Sequence, residues 1–183
     1  VMKLDLNATA LAHIIQAELS GALPLATVNE VAYDTRKLIR TEGVVFFALK
    51  GAKQNGSAYI ESAYEKGIRN FVVAEQPLLL QPEANYFLVN DVLLALQKLA
   101  AFHRTRITYP IVAITGSIGK TTVKEWIAHL LGEQFKVHRS PKSYNSQLGV
   151  ALSLLALPLE GDLALIEAAV TKPGEMERLQ EMI

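Results

Sequence analysis

The sequence predicts an α/β protein in two parts: a small N-terminal α/β domain over residues 1–107, then a truncated domain with a parallel sheet over residues 108–183. Short apolar runs alternate with helical patterns through most of the first part, which is typical of a layered α/β unit. The polar stretch 103–110 interrupts this alternation and is the best linker candidate. Residues 111–114 have the apolar, β-branched composition of a buried strand, and a glycine loop and a helix follow them directly.

Composition excludes several classes of protein. The chain has 183 residues, 50% of them hydrophobic, so a real core can form. Eighteen basic and eighteen acidic residues cancel, which leaves no basic excess for nucleic acid. The absence of cysteine rules out disulfides and thiolate metal sites and fits a cytoplasmic location. No apolar run approaches the roughly 20 residues that a membrane span needs, and no signal peptide is visible.

The elements of the first part follow from apolar spacing and turn residues. We predict helices over 7–19 and 58–66 and from Asp91 to about 100, strands over 28–33, 44–49, 71–73 and 86–89, and a turn at 54–57. Polar residues follow the first strand at Asp34, Thr35, Arg36 and Lys37. They form either a solvated turn or a binding site for phosphate or carboxylate.

The second part begins with the strand at 111–114, predicted to be buried on both faces. We predict further strands over 136–139 and 163–167 and a helix over about 123–131. A second helix would run through Leu148, Leu152 and Leu155 until Pro158 stops it, and Pro173-Gly174 would open a last helix with Met176, Leu179 and Ile183 on one face. The first of these helices would bury Val123, Ile127, Leu130 and Leu131, with Trp126 in packing contact. The scattered histidines, among them His103, are expected at the surface or at helix ends. Three strands leave a sheet edge open, so we expect a truncated domain.

The loop after the first of these strands is the main chemical signal. Gly116 and Gly119 free backbone N–H groups to face an anion, and the start of the following helix adds partial positive charge. Lys120 can reach the outer phosphates of a nucleoside triphosphate, and the Thr121 hydroxyl can ligate Mg²⁺. The alternative is a glycine-rich turn with an exposed lysine. The strand-to-helix context favours a phosphate-binding loop.

Two further positions carry possible chemistry. Glu167 ends an apolar strand, where a carboxylate beside a P-loop commonly holds Mg²⁺. The alternative is a solvated residue at a strand end. Asn145 precedes a helix, and it either faces the γ-phosphate or, like Ser146, only caps that helix.

Several stretches resemble the Mur ligases. The loop and the residues after it, 114–125, resemble the ATP-binding loop of that family, most closely in the members that add D-alanyl-D-alanine. Residues 143–150 are similar to its asparagine-rich segment, and residues 166–176 to its Glu-Met-Gly…Pro-Gly-Glu strand and turn. Residues 34–37 and 43–51 resemble the domain that holds the UDP end of the substrate.

The resemblance implies roles for individual residues. The phosphates of ATP would lie on Thr115, Gly116, Ser117, Gly119, Lys120, Thr121 and Thr122. Lys120, Thr121 and Asn145 would act in catalysis, and Thr121 and Glu167 would ligate Mg²⁺. Thr35 and Arg36 would contact the uridine nucleotide.

The resemblance also implies a reaction. ATP would phosphorylate the terminal carboxylate of UDP-N-acetylmuramoyl-tripeptide, and the amine of D-alanyl-D-alanine would attack the acyl phosphate. We expect the 183 residues to be the N-terminal part of such a ligase and to be inactive alone. The alternatives are a folylpolyglutamate- or cyanophycin-type ligase and a nucleotide-binding module without turnover. Nothing in the residues indicates whether further domains, such as an alanine racemase, follow residue 183.

Overall fold

The computed structural model describes residues 4–21, 23–37, 41–51 and 56–183. The chain divides into two compact units, residues 1–96 and 97–183. The predicted domain boundary at 107/108 stays a prediction, since this division lies inside a helix that continues to residue 105. No helix among the described residues has the length and apolar character to cross a membrane.

Within its described residues, the first unit contains seven strands and two short α-helices, and a third α-helix begins in it. In chain order they are β1 Leu6–Asn7, α1 Ala8–Ile15, β2 Glu18–Gly21, β3 Thr27–Val28, β4 Glu30–Ala32, β5 Val44–Phe47, α2 Ile60–Glu65, β6 Asn70–Val73, β7 Asn85–Leu88 and α3 Val92–Thr105. β1 and β3 form an antiparallel pair. The other five strands form one sheet in the order β2-β7-β6-β5-β4, in which only the β2–β7 pairing is antiparallel.

The central strands of this sheet are buried on both faces. All four residues of β5 and all four of β6 are buried, as expected of parallel strands covered on both sides. The apolar runs Val-Val-Phe-Phe and Phe-Val-Val therefore predicted these strands correctly.

The single strand predicted over 28–33 is divided in the structure, because Val28 ends β3, which pairs with β1, whereas β4 covers Glu30–Ala32 and pairs with β5. The first predicted helix is also wrong. The helix predicted over 7–19 ends at Ile15, because Gln16 adopts the left-handed conformation with φ 56° and caps it. Leu19 lies instead in β2, opposite Phe87 of β7. The apolar residues of 7–19 follow a helical spacing throughout, and pairing with β7 overrides that spacing after residue 16. The turn predicted at 54–57 lies partly outside the described residues, and a 3₁₀ turn occupies Gly56–Tyr59.

The second unit holds a parallel three-stranded sheet. Its elements are β8 Ile111–Ile114, α4 Lys120–Leu131, β9 Val137–Arg139, α5 Gln147–Leu155, β10 Leu163–Glu167 and α6 Glu175–Met182. The strand order is β8-β10-β9, and both pairings are parallel. Helices between parallel strands and a sheet of three strands confirm the predicted fold class for this part of the chain.

Two packing predictions for the second unit are wrong. β8 is an edge strand rather than a strand buried on both faces, and Val112 is 43% exposed. α4 buries Lys124 and Ala128, while Val123 and Leu130 are exposed. Trp126 is also 68% exposed rather than packed. The helix is turned about one residue from the predicted face, because its first turn is held to β10 by polar contacts.

His103 lies at a helix end, as predicted, but its side chain is fully buried. It lies in α3, which continues to Thr105 through part of the predicted linker. Its Nε2 lies 2.9 Å from the carbonyl oxygen of Leu157, and its Nδ1 has no hydrogen-bond partner within the described part of the chain. The pKa of His103 is lowered, chiefly because the side chain is buried. The hydrogen bond with the Leu157 carbonyl raises this pKa in part, and the positive charge of Arg106 lowers it further.

This histidine predicts a pH dependence of stability. Since the folded pKa lies below the ordinary value of 6.5, the unfolded chain takes up the proton first as the pH falls. The free energy of unfolding should therefore decrease from about pH 6.5 downward until the folded pKa is reached. Urea denaturation of the 183-residue chain at pH 7.5 and 5.5 measures this loss. We expect His103→Gln to reduce the loss and His129→Gln, an exposed site on α4, to leave it unchanged. Equal losses in all three proteins would contradict the prediction.

Candidate functional site

The site begins where β8 ends. The loop Thr115–Gly119 leaves this strand, and Gly116 and Gly119 have φ angles of 142° and 83°. These angles favour glycine. A Cβ built on Gly119 would meet no atom within 4 Å, so this glycine is required by the backbone conformation and not by crowding. Thr115, Ser117 and Thr122 are exposed on the loop and first helical turn, where the sequence placed them.

The first turn of α4 is open to an anion. Gly119 is its N-cap residue and makes no side-chain capping hydrogen bond. Backbone N–H groups at a helix start lack intrahelical partners and carry partial positive charge, which together attract phosphate. Lys120 donates from its Nζ to the Gly116 carbonyl oxygen at 2.6 Å. Its ammonium therefore lies over the loop itself.

Glu167 contacts the other predicted side chains of the site. The register of the parallel sheet places Glu167 opposite Ile114, so the carboxylate stands beside the start of the loop. Thr121 Oγ1 donates to Glu167 Oε2 at 2.7 Å, and Asn145 Nδ2 donates to Glu167 Oε1 at 2.8 Å. Three predicted site residues, separated by up to 46 positions in the sequence, therefore meet at one carboxylate.

The segment before α5 could cap this helix or face the phosphate site, and the structure assigns these contacts to different residues. Ser146 caps that helix, since its Oγ accepts a hydrogen bond from the Gly149 N–H at 3.2 Å. The Asn145 side chain instead donates to Glu167, and the main-chain carbonyl oxygen of Asn145 accepts a hydrogen bond from the Ala169 N–H at 2.8 Å. Capping and carboxylate binding thus belong to neighbouring residues.

Sequence reasoning missed two residues of this site, Lys124 and Ser140. The fully buried Lys124 lies with its Nζ 3.6 Å from Glu167 Oε2. Ser140, which is also buried, accepts a hydrogen bond from the Glu167 N–H through its Oγ at 3.1 Å. The signal for Lys124 was its spacing, because positions 120, 121, 124 and 128 share one helical face. Nothing local in the sequence distinguished Ser140.

The pKa of Glu167 reflects two opposed effects. Burial raises the pKa of this carboxyl, and hydrogen bonds from Thr121 and Asn145 together with the charges of Lys124 and Lys120 lower it. The donors and cations prevail, so the pKa lies below its ordinary value. The buried carboxylate is therefore ionised at neutral pH.

The donor set fits Mg²⁺. This ion prefers oxygen ligands and is commonly held by one or two carboxylates together with phosphate oxygens. Thr121 Oγ1 and Glu167 Oε2 supply a hydroxyl and a carboxylate oxygen side by side at the start of the loop. Among the described residues no group of three or more His, Cys, Asp or Glu side chains could hold a metal by itself. Water and the oxygens of a bound phosphate would complete the ligands of a cation at this pair.

The first unit contains a separate cavity of about 250 Å³. Its lining residues are Tyr33, Asp34, Thr35, Arg36, Phe46 and Tyr59. Asp34 accepts from Arg36 at both carboxylate oxygens, at 2.9 and 2.8 Å, which fixes a guanidinium whose side chain is 82% exposed. The Thr35 carbonyl accepts from Lys66 Nζ at 2.8 Å. Both residues predicted to contact the nucleotide therefore line one cavity.

A parallel sheet, a glycine loop after its edge strand and a Lys-Thr pair opening the next helix define the class of P-loop α/β proteins. Residues 114–183 match the family model of the Mur ligase middle domain. The chain is 38% identical over 156 residues to the UDP-N-acetylmuramoyl-tripeptide–D-alanyl-D-alanine ligase of Synechocystis, covering 85% of this chain and 34% of that protein. The ligase of the same name from Bacillus subtilis is 34% identical over the same shares.

Solved structures agree with these relatives. A crystal structure of MurF from Acinetobacter baumannii matches with a TM-score of 0.88 and 25% identity, over all of this chain and 40% of that one. MurF from Thermotoga maritima, solved in complex with ADP, matches with a TM-score of 0.74 and 27% identity over 86% of this chain and 35% of that one. Residues 114–183 therefore represent part of a Mur ligase middle domain, and the whole chain spans little more than a third of the length of these relatives.

Proposed function

We propose that the second unit binds the triphosphate of ATP together with Mg²⁺. The backbone N–H groups of the loop and the Lys120 ammonium would hold the phosphates, and Thr121 and Glu167 would hold the metal. The observation that carries this proposal is the pair of hydrogen bonds that join Thr121 and Asn145 to Glu167 beside the loop. Further support comes from the similarity to a MurF structure in complex with ADP.

The groups of the site suit phosphoryl transfer. Such transfer depends on positioning and on neutralising charge on the phosphate oxygens, rather than on covalent chemistry by the protein. Bound Mg²⁺ would supply neutralising positive charge. Lys120 adds a cation, the start of α4 adds oriented N–H groups, and Asn145 orients the Glu167 carboxylate. Thr115, Ser117 and Thr122 would line the path of the phosphates.

For the natural polypeptide that contains these residues, here called the parent protein, we propose the activity named for its relatives. It would join D-alanyl-D-alanine to UDP-N-acetylmuramoyl-tripeptide, with ATP activating the carboxylate as an acyl phosphate. The names of the Synechocystis and Bacillus subtilis ligases support these substrates. The reaction would serve peptidoglycan synthesis, and we place it in the cytoplasm.

The cavity of the first unit would hold the uridine end of the precursor. Ligand pockets commonly measure about 300–1,000 Å³. At about 250 Å³ this cavity suits one part of a large ligand, such as a base or a sugar. The Arg36 guanidinium, held in place by Asp34, offers a fixed cation, and Tyr33, Phe46 and Tyr59 offer aromatic surfaces.

The test is an assay of amide formation with the parent protein, ATP, Mg²⁺ and UDP-N-acetylmuramoyl-tripeptide. We expect turnover with D-alanyl-D-alanine as the amine, and none with glutamate as the amine or with a folate in place of the muramoyl peptide, because the relatives named above act on the muramoyl peptide. The 183-residue chain alone should form no amide, since it covers about a third of these relatives. Turnover by the short chain, or a parent protein that accepts only a folate or an amino-acid polymer, would contradict the proposal.

A further inference from the structure

Lys124 is a buried cation that the proposed mechanism does not use. Its side chain is 0% exposed, although lysine is almost never fully buried without a partner. Its ammonium donates to the Ser140 carbonyl oxygen at 2.9 Å and, through a short contact, to the Lys142 carbonyl oxygen. It also lies 3.6 Å from Glu167 Oε2 and 3.5 Å from Glu125 Oε1. Four oxygens from three segments of the chain therefore converge on this nitrogen.

The segments held by Lys124 are the ones that build the site. The carbonyls of Ser140 and Lys142 belong to the loop between β9 and α5, and this loop carries Asn145. The Glu167 carboxylate ends β10 and accepts hydrogen bonds from Thr121 and Asn145. Lys124 itself stands one turn after Lys120 on α4. One ammonium thus links the phosphate-binding helix, the loop of Asn145 and the carboxylate of the metal site.

Stability does not account for a charge at this position. Replacing a buried ion pair by apolar side chains of similar size is often neutral or stabilising, because both charges lose water on burial. The Lys124 geometry instead restricts the direction of the Glu167 carboxylate. An uncharged side chain at position 124 would release the two loop carbonyls and would leave that carboxylate held only by Thr121 and Asn145.

We propose that Lys124 is a positioning residue, which fixes the Glu167 carboxylate and the loop of Asn145 in the arrangement that receives the metal–nucleotide complex. This inference rests on the proposed function, because it concerns the same site. Lys124 does not itself contact the phosphates in this view. It acts through Glu167, in the way that outer groups orient a metal-binding carboxylate.

The test measures the affinity of the parent protein for a fluorescent ATP analogue, once with Mg²⁺ and once with a chelator. Outer groups of a metal site typically contribute about 10- to 100-fold in metal affinity. Mg²⁺ should raise the affinity of the wild type for the analogue by a certain factor. We expect this factor to be about 10- to 100-fold smaller in Lys124→Met. The affinity without Mg²⁺ should stay within about 3-fold, because the loop and Lys120 are unchanged. Binding of Mn²⁺ in the presence of nucleotide, followed by electron paramagnetic resonance, should fall in parallel.

Two variants make the result specific. Lys124→Gln keeps a donor for one loop carbonyl and should lose less of the Mg²⁺-dependent gain than the methionine variant. If the methionine variant does not fold, the glutamine variant alone tests the positioning role. Lys136→Met, at an exposed lysine in the same unit, should bind like the wild type.

The outcomes separate this inference from the proposed function. If the wild type binds nucleotide with an Mg²⁺-dependent gain that both Lys124 variants retain, the positioning role is wrong and the proposed function stands. A loss that is equal with and without Mg²⁺ also overturns the positioning role, because it indicates a general structural defect. A wild-type protein that does not bind the analogue overturns both proposals.

Discussion

Lys120→Ala should lower the rate of amide formation by the parent protein by about 100- to 1,000-fold, the usual effect of removing one preorganised group that stabilises transition-state charge. The reason is that Lys120 provides the cation of the loop, and no second lysine of α4 can replace it. Lys124 is the other lysine of that helix, and its ammonium is occupied by loop carbonyls and carboxylates.

The same variant should leave the fold intact. The Lys120 ammonium makes one described contact, a hydrogen bond to the Gly116 carbonyl on an exposed loop. A hydrogen bond of this kind contributes about 0.5–1.5 kcal/mol to the free energy of unfolding, and less where water can replace it. Thermal unfolding followed by circular dichroism should therefore show a small shift beside the large loss of rate.

A matched control uses Lys136→Ala, because Lys136 is also an exposed lysine of the second unit and lies outside the loop. Its rate should equal that of the wild type. If Lys120→Ala retains full activity, the loop does not act in catalysis, and a nucleotide-binding module without turnover becomes the better hypothesis. An equal loss in both variants would indicate a general effect of charge.

Most of the candidate site was accessible from the sequence because its signals are local. The strand, the two glycines and the Lys-Thr pair fall within one short stretch, 111–122, where spacing fixes the geometry. Glu167 was found because an apolar run ends there, and parallel strands bring their carboxyl ends to one edge of a sheet. The structure pairs Glu167 with Ile114 as that rule requires.

The parts that were missed depend on contacts between distant residues. The spacing of apolar residues predicted that α4 would bury Val123 and Leu130, whereas it buries Lys124 and Ala128. Which face a helix turns toward a sheet is set by its partners, here Glu167 and Ser140. Leu19 is a similar case, because its helical spacing is overridden by pairing with Phe87, 68 positions further along the chain. Local patterns cannot report such contacts.

The buried pair of Lys124 and Glu167 gives the second large expected effect, this time on stability. Lys124→Met should lower the free energy of unfolding of the 183-residue chain by about 3 kcal/mol, near the lower end of the range for breaking a buried ion pair. It removes the donor of two loop carbonyls and leaves a buried carboxylate, 2% exposed, without its nearest cation. Hydrogen bonds from Thr121 and Asn145 still satisfy that carboxylate, which keeps the loss at the lower end.

A double-mutant cycle separates charge from packing. Lys124→Met combined with Glu167→Gln removes both charges. The loss in the free energy of unfolding of the double variant should therefore be smaller than the sum of the losses of the two single variants, by about 0.5 to 3 kcal/mol. Urea denaturation at neutral pH measures all four proteins, and Lys136→Met, at the surface, should stay within about 0.5 kcal/mol of the wild type. Additive losses would mean that the two charges do not interact across the 3.6 Å between them. In that case the lysine would stabilise the chain only through the loop carbonyls, and the proposal that Lys124 positions the Glu167 carboxylate would be wrong.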